Sequence, residues 1–282
     1  MYWRFVSAVA AVSIKPGCPY MSAPYSGVTV KTIVVQCALP KEAERFVQVL
    51  EDPDQSDRYG IHIVSGDYRD MRLVVCVGGM GKVAAGATAQ MAIMEFHPDA
   101  LIFSGIAGGL NPRLGIGDVV IAHRLEYLET NTSIIAECAP YMPYFQSDPD
   151  LVKAAERALR NMGYSRVPSL SESGEHTGGA SDARVHDEHR YVCGTIATSD
   201  QFNTDPHVLR RIMDDVHADC EEMEGAAAAH VSARCGIPFC AVRAISNRCG
   251  ESYASVSDHE QDLLDAARIA ASVCLRMLDM LT

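Results

Sequence analysis

Two glutamates at the end of a short predicted strand are the first candidates for chemistry. Glu222 and Glu224 belong to the segment EEMEG (221–225), which overlaps the end of a predicted β segment at 218–222 and precedes an alanine-rich helix. In an open α/β sheet, ligands bind in the crevice at the carboxyl ends of the strands. A carboxylate there can accept hydrogen bonds or a proton. An acidic run is more often a solvated face, but this position favours a functional use of Glu222 or Glu224.

Four other segments also fall at the ends of predicted strands. They are GGMG (78–81), SGIAGG (104–109), TSDQF (198–202) and AISN (244–247). Glycine lets a backbone approach a ligand closely, although a glycine pair is often only a turn. Together with EEMEG, these segments predict one crevice for a small ligand.

Several familiar sites are excluded by spacing. GGMGKV (78–83) lacks the GxxxxGK[ST] pattern of a phosphate-binding loop, and 105–109 does not form GxGxxG. No GxSxG turn is present for a hydrolase serine. HDEHR (186–190) has two histidines in a polar stretch without a third ligand, so we predict solvated side chains there. We therefore expect neither a metal ion nor an organic cofactor.

Composition narrows the class of protein and its partners. The chain has 282 residues, a formal net charge of −12 and 48% hydrophobic residues. A surplus of carboxylates disfavours nucleic acid and anionic membranes, which bind clustered Lys and Arg. The 10 cysteines lie mostly in apolar runs and form no CxxC pair. They are typical of buried free thiols in a reducing compartment, so we predict a cytoplasmic protein.

Strands and helices alternate along most of the chain. Predicted strands are 32–39, 61–64, 71–79, a stretch within 97–109, 117–129, 191–199, 218–222 and 238–246. Predicted helices are 41–52, 81–96, 151–164, 206–216, 225–236 and 258–281. This alternation predicts an α/β fold: a single-domain, three-layer α/β/α structure with a mixed, largely parallel central sheet.

The domain boundaries follow from the same pattern. We expect a domain over 31–282 with a polar surface insertion near 166–190, which is rich in Ser, Gly and His. Residues 1–30 are interpreted as an ill-ordered extension, with Met21 as an alternative start. Arg4 followed by FVSAVAAVSI also resembles a short export signal, which is the alternative interpretation.

The order of the five segments identifies a resemblance. GGMGKVAA, HPDALIFSGIAGGL, ATSDQF, EEMEGAAAAHV and IPFCAVRAIS, in this order, resemble the nucleoside phosphorylase/nucleosidase superfamily. The chain is most similar to the 5'-methylthioadenosine/S-adenosylhomocysteine nucleosidases, over about residues 31–281 apart from the insertion. The resemblance implies a nucleoside phosphorylase-like fold, cleavage of a purine N-ribosidic bond, and a homodimer.

The resemblance also implies roles for individual residues. Glu42 in CALPKEAE corresponds to the glutamate that activates water, although it could instead be a first-turn helix carboxylate. Met223 is expected to pack on the ribose and Glu224 to accept hydrogen bonds from its hydroxyls. Met80 is expected near the sugar and the Phe202 region at the base, with core packing as the alternative for both. The matching segments add two further substrate-binding candidates, Glu222 and Ser246.

Two positions depart from the adenine-specific pattern. Asn247 follows AIS where those members have Asp, and an amide can donate a hydrogen bond to N7 but cannot transfer a proton. This change favours a 6-oxopurine nucleoside, as in the related futalosine hydrolases, or a weakened member of the family. Ile106 replaces a Ser or Thr in SGIAGG, which removes one hydrogen bond to water or an anion. We keep Asn247 as the catalytic purine contact and Ile106 as a substrate-binding residue.

The nucleophile is expected to be water. Phosphorylases of the superfamily bind phosphate with arginines ahead of the glycine turn and in an N-terminal loop, and this chain has none in LIF or CALPKEAE. Arg243 in AVRAIS leaves the question open. The prediction is hydrolysis of methylthioadenosine or adenosylhomocysteine. The alternatives are a 6-oxopurine nucleoside hydrolase, a phosphorylase and a non-catalytic nucleoside-binding protein.

Overall fold

The computed structural model describes residues 32–173 and 189–281. The predicted extension 1–30 and the middle of the polar insertion lie outside these ranges. Among the described helices, none is long and apolar enough to cross a bilayer.

Eleven strands form the central sheet of the described chain. They are β1 (Thr32–Cys37), β2 (Glu51–Arg58), β3 (Ile61–Tyr68), β4 (Met71–Val77), β5 (Ala100–Gly109), β6 (Val119–Tyr127), β7 (Phe145–Gln146), β8 (Ser165–Arg166), β9 (Arg190–Thr198), β10 (Ala218–Glu222) and β11 (Phe239–Arg248). The order in the sheet is β10-β9-β6-β11-β5-β1-β4-β3-β2, with β7 paired to β6 and β8 to β9. Parallel and antiparallel pairs occur together, which confirms the predicted mixed sheet.

Nine helices accompany the strands in the described ranges. They are α1 (Pro40–Val47), α2 (Lys82–Phe96), α3 (Thr132–Ile135), α4 (Pro149–Asn161), α5 (Leu170–Ser173), α6 (Pro206–Arg211), α7 (Gly225–Cys235), α8 (Tyr253–Ser257) and α9 (Glu260–Leu278). A π-helical turn, Ile212–Val216, continues α6.

Helices cover both faces of the sheet, as predicted. One face is packed by α1, α4 and α9, with α9 in contact with both α1 and α4, and the other by α2 and α7. Local sequence explains the elements: β1 is an apolar run buried almost throughout, as central strands are. Helix α4 begins with Pro149 after Asp148, whose carboxylate accepts hydrogen bonds from the backbone of Asp150 (2.9 Å) and Leu151 (3.1 Å).

One closure of the sheet matters for the site. Strand β10 runs parallel to β9 and antiparallel to β5, so β5, β11, β6, β9 and β10 form a ring. The ring brings the ends of β5, β10 and β11 side by side, and these ends carry the predicted segments SGIAGG, EEMEG and AISN.

Two sequence predictions are corrected. The helix predicted over 41–52 ends at Val47, and 51–52 begin the edge strand β2, which was not predicted. Strand β2 reads EDPDQSDR and is exposed on both faces, so it has none of the apolar alternation that marks a strand. The loop predicted over 166–190 contains part of β8 and the short helix α5 at one end, and its last residue starts β9.

Candidate active site

A cavity opens at the carboxyl ends of the central strands. Its wall comes from the residues after β1, β4 and β9, from the ends of β5, β10 and β11, and from α8 and α9. All nine predicted site residues line it: Glu42, Met80, Ile106, Phe202, Glu222, Met223, Glu224, Ser246 and Asn247. The structure therefore brings together residues as distant in the sequence as Glu42 and Asn247.

Glu42 is held on the floor of the cavity by backbone amides. It is the third residue of α1, and its Oε2 accepts hydrogen bonds from the backbone N–H groups of Ala38 and Leu39, both at 2.9 Å. Its Oε1 accepts one from the backbone of Ile106 at 3.0 Å. The side chain is buried, and burial raises its pKa. A carboxylate so placed is fixed in orientation and is a stronger base than an exposed one.

Gly105 makes the approach of Glu42 to β5 possible. A Cβ at this position would lie 2.7 Å from Glu42 Oε1 and 3.3 Å from Arg243 Nη1. Ile106, beside it, contacts Glu42 through its backbone, so the predicted role of its side chain stays a prediction.

Glu224 joins two distant segments of the site. Its Oε1 accepts a hydrogen bond from the backbone N–H of Gly81 at 2.7 Å, which fixes the turn GGMG against the segment EEMEG. Gly81 has φ +94°, a left-handed value that suits glycine. Burial, followed by the charge of Glu222, raises the pKa of Glu224 to about 8. Met80 in the same turn is half exposed at the cavity mouth.

Both carboxylate oxygens of Glu222 are hydrogen-bonded within the protein. Its Oε2 lies 2.5 Å from Arg243 Nη2, and its Oε1 accepts a hydrogen bond from Thr198 Oγ1 at 2.5 Å. The backbone N–H of Gly225 donates to both oxygens, at 3.0 and 2.7 Å. Its acceptor positions are thus occupied by protein donors, and its predicted contact with substrate stays a prediction.

Polar and aromatic side chains form the other end of the cavity. Phe202 packs edge-on against Tyr253, with ring centroids 5.7 Å apart. Ser246 Oγ donates to Asn247 Oδ1 at 2.9 Å, and Asn247 Nδ2 donates to the Arg248 carbonyl at 3.0 Å. A register shift in β11 between Ile245 and Asn247 sets Asn247 opposite Gly108 of β5.

Comparison with known proteins places this geometry in a family. The model of the phosphorylase superfamily matches residues 32–280. The chain belongs to the phosphorylase superfamily. The 5'-methylthioadenosine/S-adenosylhomocysteine nucleosidases of Mycobacterium tuberculosis and Treponema pallidum are each 30% identical to it over 89% of this chain, covering 98% and 94% of their own lengths.

Solved structures agree on the superfamily fold. The Neisseria meningitidis 5'-methylthioadenosine/S-adenosylhomocysteine nucleosidase, in complex with methylthio-immucillin-A, is similar with a TM-score of 0.75 and 24% identity, over 89% of this chain and 100% of that one. The futalosine hydrolase of Helicobacter pylori is similar with a TM-score of 0.74 and 21% identity, over 89% and 98%. The predicted family and fold are confirmed.

The cavity is also lined by residues that the sequence did not single out. They are Asn203, Tyr253 and Cys249, with Glu221 noticed only as part of an acidic run. Asn203 directly follows Phe202, so extending the TSDQF turn by one residue would have found it. Tyr253 lies on α8, which gave no periodic signal because it has five residues.

The titratable groups that line the cavity are mostly acidic. Four carboxyl groups line it, from Glu42, Glu221, Glu222 and Glu224, whereas Lys41 is the one Lys or Arg among the described lining residues. Within residues 32–173 and 189–281, no cluster of three His, Cys, Asp or Glu side chains could hold a metal ion.

Proposed function

We propose that this protein hydrolyses the N-ribosidic bond of a purine nucleoside such as 5'-methylthioadenosine or S-adenosylhomocysteine, releasing the free base and a ribose derivative. The observation that carries the proposal is the buried Glu42 carboxylate, fixed by three backbone amides in the same cavity as Glu224. The relatives at 30% identity, which are nucleosidases for these two compounds, support it.

The charge distribution fits the transition state of such a reaction. Breaking the C1'–N9 bond leaves positive charge on the sugar, and a preorganised negative field stabilises that charge. Three carboxyl groups, from Glu42, Glu222 and Glu224, act electrostatically on the single guanidinium of Arg243. The excess of negative charge favours a cationic sugar over a neutral one.

Glu42 is the base for the attacking water. As the water oxygen bonds to C1', the proton it loses passes to the Glu42 carboxylate, and the C1'–N9 electron pair moves to the purine. The three amide hydrogen bonds hold the Glu42 carboxylate in one orientation, so little reorganisation accompanies the proton transfer.

Glu224 and the two methionines are assigned to the sugar, and Phe202 to the base. The Glu224 carboxylate accepts hydrogen bonds from ribose hydroxyls, and these new donors favour its charged form. Met80 and Met223 line the cavity, each next in sequence to one partner of the Gly81–Glu224 contact, and supply apolar surface. Phe202 and Tyr253 offer an aromatic wall that suits a purine ring.

Water is favoured over phosphate as the nucleophile. The guanidinium of Arg243 is buried and bonded to Glu222, with Nη1 also donating to the Phe103 carbonyl at 3.2 Å. Lys41 lies 4.0 Å from Glu260. The cavity is rich in carboxyl groups, and no arginine is among its described lining residues. A phosphate dianion would therefore enter it at a large electrostatic cost.

A 6-oxopurine nucleoside is the second candidate substrate, and Asn247 is the observation that favours it. Beyond its hydrogen bonds to Ser246 and Arg248, the amide keeps one N–H donor and one acceptor position. These match the carbonyl and N–H groups of a 6-oxopurine. The fold likeness to a futalosine hydrolase is compatible with this candidate.

A homodimer is proposed from the exposed apolar surface of α2. Val83 and Met94 are 85% and 67% exposed, and Val83 lies on a groove that also includes Ile135 and His230. A second copy of the chain would bury this surface, and sedimentation at micromolar concentration tests the prediction.

We assign the protein to the cytoplasm. The nine cysteines in the described residues are free thiols, and most are buried or half-buried, as in proteins of reducing compartments.

The function is tested with a panel of nucleosides in phosphate-free buffer. Methylthioadenosine, adenosylhomocysteine, inosine and futalosine are each incubated with the purified protein, and free base is measured by chromatography. Adenine release is the expected result. Hypoxanthine alone would select the 6-oxopurine candidate, and no base from any compound would overturn the proposal in favour of a non-catalytic binding protein.

A further inference from the structure

Glu221 is a buried carboxyl group in the cavity that the mechanism above does not use. It is 8% exposed and lines the same cavity as Glu42 and Glu224. Asn203 Nδ2 donates a hydrogen bond to its Oε1, and Cys249 Sγ lies 3.9 Å from its Oε2. A thiol is a weak donor, so Oε2 is the part of the group best able to serve a ligand.

The position of Glu221 relative to Asn247 is set by the strand register. Glu221 of β10 lies opposite Gly108 of β5, and Gly108 lies opposite Asn247 of β11. Neighbouring strands are about 4.8 Å apart, so the two side chains start from positions on either side of one glycine. A Cβ at Gly108 would come within 2.7 Å of Cys249 Sγ and 3.5 Å of Asn247 Nδ2. The Cys249 thiol and the Asn247 amide thus pack over Gly108, and the side chains of Glu221 and Asn247 both line the cavity beside them.

The surroundings of Glu221 let it hold a proton up to about neutral pH. Burial, with smaller contributions from the charges of Glu129 and Glu222, raises its pKa to about 7, and the Asn203 hydrogen bond opposes the shift. Cys249, whose thiol lies 3.9 Å from Glu221 Oε2, has its own pKa raised by burial and stays a neutral thiol. Asn247, by contrast, has no proton to give at any ordinary pH.

We propose that Glu221 is the acid that protonates the departing purine, in place of the carboxyl group that position 247 lacks. The proposal rests on the proposed nucleosidase function. The Glu221 carboxyl transfers its proton to a ring nitrogen of the purine while the C1'–N9 electron pair moves onto the base. Water bonds to C1' and gives its proton to Glu42, and the base leaves neutral. The proton on Glu42 returns to Glu221 through solvent, which completes the balance.

Two leaving groups separate acid catalysis from a structural role. Adenine needs a proton to leave, whereas 4-nitrophenoxide leaves as an anion. We therefore compare adenine release from methylthioadenosine with cleavage of a 4-nitrophenyl riboside that carries the same 5'-methylthio group. Glu221→Gln is expected to lower kcat for adenine release on the order of 10²-fold, as general acids do, and to leave the nitrophenyl reaction unchanged.

A second variant supplies the acid from the other side. Asn247→Asp in the Glu221→Gln background is expected to restore adenine release, because it returns a carboxyl group to the opposite flank of Gly108. The ratio of the adenine rate to the nitrophenyl rate in wild type is expected to fall as the pH rises through about 7, because the acid must be protonated, and to be flat in Glu221→Gln. The other carboxyl groups affect both reactions and cancel in the ratio.

The outcomes distinguish this proposal from the function on which it rests. Adenine release that is unchanged in Glu221→Gln overturns the acid role alone. Equal losses on both substrates overturn it in favour of positioning. Wild-type protein that cleaves neither substrate overturns the proposed function and this proposal with it.

Discussion

The Glu222 carboxylate and the Arg243 guanidinium lie 2.5 Å apart, with 2% and 1% of their side chains exposed. They join β10 to β11 beneath the cavity, and the Arg243 guanidinium also lies 4.4 Å from the centroid of the Phe103 ring. This pair neutralises Arg243, the one buried Lys or Arg in the part of the chain that the structure describes, and occupies an oxygen of Glu222. The remaining carboxyl groups of the cavity, from Glu42, Glu221 and Glu224, are left for chemistry.

Removing the cation should destabilise the fold strongly. Arg243→Met leaves Glu222 buried without its partner, and breaking a buried pair costs about 3–5 kcal/mol. The control is Arg268→Met, whose pair with Asp265 has side chains 51% and 55% exposed; exposed pairs contribute about 0–1 kcal/mol. Urea unfolding measures both. Similar losses in the two variants would show that the buried pair has no special role in stability.

Glu42→Gln should abolish most turnover while the protein still binds nucleoside. A glutamine cannot accept the water's proton, so kcat should fall on the order of 10²- to 10⁴-fold. Glu44→Gln, on the exposed face of the same helix, is the matched control and should keep full activity. Steady-state kinetics and calorimetric binding of a substrate analogue test this. A Glu42→Gln protein with wild-type kcat would remove the proposed base.

Gly105→Ala should reduce kcat although it adds only one methyl group. The new methyl group would meet Glu42 Oε1 at 2.7 Å, and Glu42 is buried and held by three amides, so the catalytic carboxylate must shift. Overpacking of this kind costs about 1–3 kcal/mol.

The control for Gly105→Ala is Gly86→Ala in α2. The nearest atom to the added methyl group there is Val231 Cγ2 at 3.9 Å. Helix glycines replaced by alanine gain roughly 0.5–1 kcal/mol, so Tm should rise with kcat unchanged. Equal kcat values for Gly105→Ala and wild type would contradict the proposed contact.

Stability should fall as the pH rises from about 6 to about 8. Burial raises the pKa of Asp219 to about 6, of Glu221 to about 7 and of Glu224 to about 8. Each pKa is higher in the folded state than in the unfolded state. The stabilising contribution is thus complete below the unfolded value and lost as the pH rises through the folded value.

Urea unfolding at a series of pH values tests this dependence. The Glu221→Gln/Glu224→Gln double variant should flatten the decline above pH 7, since two of the three groups no longer ionise. A free energy of unfolding that increases between pH 6 and 8 would contradict the assigned directions.

Much of the fold was predictable because the central elements carry strong signals. Buried strands such as β1 are apolar throughout, and α4 combines a capping aspartate, a proline and an amphipathic face. The exposed β2 and the five-residue α8 gave no such signal. The ring through β10 and β5 depends on contacts between distant segments, which one sequence does not display.

The site was predictable as a set of residues but not as a set of contacts. Strand-end position and family resemblance selected nine residues that line one cavity. Neither reveals that Glu222 is bonded to Arg243, or that Ile106 acts on Glu42 through its backbone. Glu221 was overlooked because it precedes the pair that matches the family, and only the strand register places it across Gly108 from Asn247.

Water, and not phosphate, is proposed to cleave the nucleoside in this cavity. The most direct test is the rate of adenine release from methylthioadenosine by the purified protein, without phosphate and with increasing phosphate. The expected result is the same rate throughout, with free methylthioribose as the sugar product. Release that requires phosphate and yields the sugar 1-phosphate would contradict it.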